Sequence, residues 1–343
     1  MSRHASDLDS TGGACPRTTR GKALAGEIAD RPVAVFAELG IATRVQVARL
    51  PLEAEDPIEA SRDFEDTLDG EEIDVACGLA ALGHSVRLGG VTGGDRLGQI
   101  ALALAKQRGL DTSHVRCDRP RTARSMTLLD STAQCRRVDA PAPAARYHYP
   151  SEELEQVIEG CEWVLVPAVN WCRPVARLAS EMGRKIVLDV RTVSGLSHCH
   201  RDLLDSAHLV LLATECLTVD AHELMRRIWS THDVEVVVAT HGTAGATLAV
   251  RRLGAISWLP APEPAQPADS TCAETAFSIG LLAAAVAGRS WPEAIACGQC
   301  VSACAAAEQR LWTGQNPAGL LQELLCHDRG IGASIRSRHL DPT

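Results

Sequence analysis

The chain has 343 residues, of which 45% are hydrophobic, 22% charged and 3% aromatic. That length and apolar load allow one large α/β domain or two small ones with a sizeable core, and they exclude global disorder. The 43 acidic residues outnumber the 34 basic ones, a formal net charge of −9 with no long Lys/Arg run, which disfavours nucleic acid or an anionic membrane as partner.

Residues 1–30 read as a flexible N-terminal tail. They are polar and lack the apolar stretch of a secretory signal. The first strand is predicted over Val33–Ala37, opening the globular part. Residues 43–70 mix alternating apolar positions (Val45, Val47, Leu50) with an acidic segment. A helix is predicted from Asp74 to Leu82, a strand from Val86 to Gly90, and a second helix from Leu97 to Arg108, closed by Gly109. Residues 122–149 alternate as paired strands of a half-exposed sheet do.

From residue 151 the period changes. Helices are predicted at 151–159, 174–182 and 218–229, between strands at 163–166, 185–189, 209–212 and 234–240, with another strand at 247–250. The apolar runs are continuous, which suits strands buried on both faces of a mostly parallel sheet. Helices follow at 273–287 and 292–311, and residues 313–343 read as a C-terminal extension. No apolar run reaches the ~18 residues of a membrane span. The 13 cysteines are scattered and odd in number, which fits small buried hydrophobes in a reduced, cytoplasmic setting. Cys297, Cys300 and Cys304 share one helical face, a spacing open to metal or to close helix packing; the small residues around them favour packing, and no metal site is assigned.

Three stretches carry the chemistry. Gly90–Gly98 (GVTGGDRLG) joins a strand to a helix and suits either a ligand loop or a tight turn. Thr240–Ala246 (THGTAGA) follows an apolar strand, where open α/β sheets bind ligands, or where a hairpin-like turn joins two strands. Asp269–Phe277 (DSTCAETAF) leads into a small-residue helix; Thr271 and Glu274 have the spacing of a capping box, and a helix start of this kind can bind an anion.

Together these stretches resemble the ribokinase-like (PfkB) carbohydrate kinases over roughly residues 31–312. GVTGGDRLG is similar to the family's G-x-x-G-x-D-x-x-G element, and Thr240, Gly242 and Gly245 match its T-x-G-x-x-G. The resemblance implies a three-layer α/β/α fold with a mostly parallel central sheet and a small β lid drawn from 43–70 and 116–150. It implies ATP/ADP with Mg²⁺ and a monovalent cation as cofactors, and a homodimer formed through the lid. Thr240, Gly242, Gly245, Asp269 and Thr271 would contact the nucleotide, and Gly70, Asp74, Gly93 and Asp95 a small-molecule acceptor.

The departures set the functional expectation. The family's D-T-T-G-A-G-D-x-F is D-S-T-C-A-E-T-A-F here: Cys272 and Glu274 replace glycines, and Thr275 stands at the catalytic aspartate's position. Ala42 takes the place of the sugar-binding Asp, Asp74 that of an Asn, and Thr214-Glu215 falls near the family's N-x-x-E. Asp189 with Arg191 matches the acid that ends the preceding strand. These substitutions point to a degenerate kinase-like protein that acts by small-molecule binding or as a regulatory partner, its enzymatic status open. The alternative is an active ATP-dependent kinase for a hydroxyl of an unusual sugar, nucleoside or cyclitol, with Glu274 or Asp74 as its base.

Overall fold

The computed structural model describes residues 32–52, 60, 64–131, 134–140, 147, 149–191, 200–261 and 270–308. Its organising element is a nine-stranded sheet. In chain order the strands are β1 (Val33–Glu38), β4 (Val86–Gly93), β5 (His114–Arg119), β8 (Trp163–Pro167), β9 (Lys185–Asp189), β10 (Leu209–Ala213), β11 (Val236–Thr240), β12 (Gly245–Val250) and β13 (Ala255–Pro260). Their spatial order is β13-β12-β11-β10-β9-β8-β1-β4-β5. Strands from β5 through β11 pair in parallel, while β12 and β13 fold back antiparallel.

Strand alternation sorts the core into two layers. Val33, Val35 and Ala37 of β1 pack on one side with helices α1 (Glu71–Ala81), α2 (Arg96–Gln107), α7 (Ser270–Val286) and α8 (Trp291–Glu308). Ala34 and Phe36 pack on the other with α3 (Ser151–Ile158), α4 (Arg173–Glu181), α5 (Arg201–Ser206) and α6 (Ala221–Thr231). Both faces are covered, so β8 to β11 are buried except at Lys185, which is why their sequences read as nearly unbroken apolar runs. This is the expected three-layer α/β/α arrangement.

A second sheet of four strands, order β3-β2-β6-β7, forms the small lid from β2 (Gly40–Gln46), β3 (Glu65–Asp69), β6 (Ala123–Leu129) and β7 (Cys135–Ala140). β7 is exposed along its whole length. β5 lies inside the range expected for the lid, yet it pairs with β4 in the large sheet.

Close packing of α7 on α8 explains the small-residue helices. A Cβ on Gly280 would lie 2.7 Å from the Cys297 carbonyl oxygen, and one on Gly298 would lie 2.8 Å from that of Phe277. Cys297 and Cys300 ride on this contact helix, while the side chain of Cys304 lies outside the described residues. Residues 1–30 and 313–343 also lie outside them. Among the described residues no helix is long and apolar enough to cross a membrane.

Candidate active site

Parallel pairing brings the carboxyl ends of β1, β4, β8, β9, β10 and β11 to one edge, where open α/β sheets place their chemistry. Glu38, Gly93, Asp189 and Thr240 end four of these strands. The lid joins the same edge, because β3 ends at Asp69 and the chain turns through Gly70 into α1.

On the acceptor side, the GVTGGDRLG loop is built on its glycines and one carboxylate. A Cβ on Gly98 would lie 1.9 Å from the Gly93 carbonyl oxygen, and one on Gly93 would lie 2.2 Å from the Thr122 nitrogen. Asp95 caps α2, accepting from the Gly98 amide at 3.0 Å, the Thr122 amide at 3.1 Å and the Thr122 hydroxyl at 2.5 Å. The Thr122 hydroxyl above all, with the two amides, holds the Asp95 carboxyl below the usual range.

This network overturns one expectation. With Thr275 at its position, the sequence predicts that the catalytic aspartate is absent and leaves enzymatic status open. An aspartate is instead present and engaged in a partly buried hydrogen-bond network, Asp95, which argues against that loss. The buried Thr275 lies in the first turns of α7 and has its own interactions.

Asp74 sits on α1 and pairs with Arg108 Nη1 at 2.9 Å; burial pushes its carboxyl up to about 6. Asp69 accepts from Ser125 Oγ at 2.6 Å and from Arg137 Nη2 at 3.1 Å, tying three strands of the lid together. Arg119, at the end of β5, pairs with Glu38.

The centre of the edge was not foreseen as one group. Arg191 is fully buried, its Nε and Nη2 gripping Asp189, with Nη2 to Asp189 Oδ2 at 2.6 Å and Glu71 Oε2 at 3.4 Å. Glu71 and Glu72 open α1. Burial pushes the Glu72 carboxyl up to about 8, and the charges of Asp189 and Glu71 add to it. Glu71 is also raised, by burial, against the pull of Arg191. The signal in the sequence is the Glu-Glu pair directly after Asp69-Gly70.

On the opposite side, Thr240 ends β11 and Gly242 and Gly245 take φ of +55° and +136°. A Cβ on Gly242 would lie 2.6 Å from Glu215 Oε1, and one on Gly245 would lie 2.3 Å from the Leu259 carbonyl oxygen. The turn joins the antiparallel pair β11–β12 at the end of a strand of the parallel sheet.

α7 begins at Ser270, so Thr271 lies inside its first turn rather than at the cap, and Glu274 Oε1 accepts no hydrogen bond. Asp269 and the side chain of Thr271 lie outside the described residues. Glu274 is instead a carboxyl with a buried, unpartnered oxygen. Burial pushes it up to about 7, opposed by Arg191 and aided by Glu215, Glu71 and Asp189. Among the described residues no group of three or more His, Cys, Asp or Glu side chains is arranged to hold a metal ion.

The fold has known counterparts. No curated protein sequence is recognisably similar to this chain. Among solved structures, a microbiome-derived acarbose kinase is 21% identical with a TM-score of 0.77, covering 87% of this chain and 99% of its own. An Arabidopsis thaliana ribokinase complexed with ribose and ATP is 21% identical with a TM-score of 0.71, covering 86% and 98%. A Burkholderia thailandensis nucleoside kinase in complex with inosine is 16% identical with a TM-score of 0.65, covering 87% and 98%. These likenesses concern the fold. The family model for pfkB carbohydrate kinases matches residues 33–316, across both sheets and every stretch singled out above, and the chain belongs to that family.

Proposed function

We propose that this chain is an ATP-dependent kinase that phosphorylates a hydroxyl of a sugar, nucleoside or cyclitol. Glu274 carries this reading. A carboxyl held near pH 7 with one buried oxygen free is suited to accept a proton at neutral pH. The acceptor oxygen attacks the γ-phosphorus, the bond from that phosphorus to the β,γ-bridging oxygen breaks, ADP leaves, and the hydroxyl proton passes to Glu274. Phosphoryl transfer rests mostly on positioning and charge stabilisation, which the strand-end edge is built to supply. The substitutions at Cys272 and Glu274 then mark a change in how the site works rather than its loss.

The nucleotide would lie along Thr240, Gly242 and Gly245, toward the start of α7 with Asp269 and Thr271. Thr240, Gly242 and Gly245 sit at the carboxyl end of a strand of the parallel sheet, where open α/β sheets bind ligands. Mg²⁺ commonly arrives on nucleotide phosphates with one or two carboxylates rather than a dedicated protein cage, and it would neutralise the charge that builds up during transfer. The acceptor would lie between Gly70, Glu71, Glu72 and the Gly93–Asp95 loop. The exposed β7 strand of the lid, with its Val138 paired to Met126 of β6, would serve a homodimer in the cytoplasm.

The test is mass spectrometry on a panel of sugars, nucleosides and cyclitols with ATP and Mg²⁺. A gain of one phosphoryl group is expected, lost in Glu274→Gln. Absence of product across the panel, or full activity in the variant, overturns the reading. Sedimentation of the whole chain tests the dimer, and a clean monomer at micromolar concentration would refute it.

A further inference from the structure

The strand-end edge holds more carboxyls than cations. Arg108 is matched to Asp74, Arg137 to Asp69, Arg119 to Glu38 and Arg191 to Asp189. Glu72 and Glu274 are left over, half-buried and without an ion pair among the described residues, Glu72 accepting only from its own backbone amide, with Glu71 reaching only the already engaged Arg191. Burying a carboxyl without a partner is costly unless a ligand or a proton completes it. Donors are left over in the same place as well. Arg191 is 2% exposed, and its buried Nη1 finds no acceptor among the described residues; the buried guanidinium of Arg119, beside Glu38, likewise has nitrogens without a hydrogen-bond partner. A neutral polyol could satisfy the free Nη1 but gives the Glu72 carboxyl no partner beyond the proton that burial places on it. A metal ion would answer the charge but not a free guanidinium donor.

We propose that the acceptor is a cationic polyol, an amino sugar or aminocyclitol, whose ammonium is held by Glu72 and whose neighbouring hydroxyl oxygen accepts from Arg191 Nη1. This rests on the kinase reading and names its substrate class. Glu71 and Asp189 flank the ammonium from α1 and β9, and their charge favours it. Glu274 stays on the reacting hydroxyl. Binding displaces the proton that burial places on Glu72, so the charge gained by the carboxylate matches the charge of the ligand.

The test uses the full chain and matched pairs: glucosamine against glucose, and scyllo-inosamine against scyllo-inositol, by titration calorimetry at fixed Mg²⁺ and K⁺. The amino member should bind about 10- to 100-fold tighter, the worth of a hydrogen bond between charged groups. Glu72→Gln should bring the two members of a pair within about threefold. Glu71→Gln, a milder change, should narrow the gap part of the way and serves should the first variant fail to fold. Neutral members binding as tightly as amino ones, or a preference that survives Glu72→Gln, overturns the proposal. So does Mg²⁺ or K⁺ alone raising thermal stability as much as the amino ligand does. Failure to bind either member overturns it together with the kinase reading. Neutral acceptors that bind well and become phosphorylated overturn only the substrate class. A clear amino preference without phosphorylation upholds it and overturns only the kinase.

Discussion

Two carboxyls on one edge of the sheet behave in opposite ways. Asp95 accepts from two amides and a hydroxyl, and those donors hold it ionised. Glu274 has a buried oxygen with no donor, and burial moves it toward neutrality near pH 7. The first gains stability from being charged and fixes the Gly93–Gly98 loop. The second is destabilised by charge and is therefore free to trade a proton. Completeness of hydrogen bonding, more than residue type, separates the carboxylate that holds the site from the one suited to work in it.

The largest effect should fall on Glu274. Glu274→Gln keeps shape and removes the base, so kcat for phosphoryl transfer should drop by about 10²–10⁴ while acceptor affinity changes little. A variant with wild-type kcat would erase the contrast with Asp95.

Gly98→Ala should come next, through stability. Its Cβ would sit 1.9 Å from the Gly93 carbonyl, a clash with backbone that only a shift of the whole loop relieves. A loss of about 3 kcal/mol is expected in denaturant unfolding, at the upper end of overpacking costs.

The pH dependence of stability sharpens the comparison. The folded-state pKa of Glu274 lies at about 7, above the ordinary 4.5. Between those values the folded protein binds more protons than the unfolded one, so the Glu274 contribution to stability falls as pH rises and levels off above about 7. Glu274→Gln should remove that fall and leave the variant on the order of 1–3 kcal/mol more stable than wild type at pH 8. Melting curves across roughly pH 5 to 8, the window set by this shift, check it. Asp95 has the reverse sign: its depressed pKa contributes stability above the ordinary carboxylate value that is lost on acidification.

The smallest effect concerns the partner of Asp95. Thr122→Val removes the hydroxyl donor and leaves both amides. It should cost about 1 kcal/mol and raise the Asp95 pKa, read by NMR titration of the carboxyl carbon. An unchanged pKa would mean that the amides alone set the Asp95 charge.

Much of the scaffold was legible because it obeys local rules. Strands buried on both faces must be apolar throughout, so β8 to β11 announced themselves in Trp163–Pro167, Lys185–Asp189, Leu209–Ala213 and Val236–Thr240. Thr240, Gly242 and Gly245 were legible for a similar reason: a turn with two positive-φ positions needs glycine at both. β13 escaped notice, since its half-exposed residues 255–260 carry no strong period and depend on β12 for their pairing.

What one chain segment cannot show is who completes a charge. DSTCAETAF contains the letters of a capping box, yet α7 starts at Ser270 and turns Glu274 into a buried, unpartnered carboxyl. Arg191 lies about 120 residues from the Glu71–Glu72 pair by simple counting along the chain, a separation that local pattern does not bridge. Only the parallel crossings bring them to one edge. Composition and periodicity determined the layers and the strand-end turns, because burial of apolar faces and backbone geometry act within a few residues. The tertiary structure decided which carboxyls are satisfied and which are free, because desolvation and Coulomb pairing depend on distance in space and not on order along the chain.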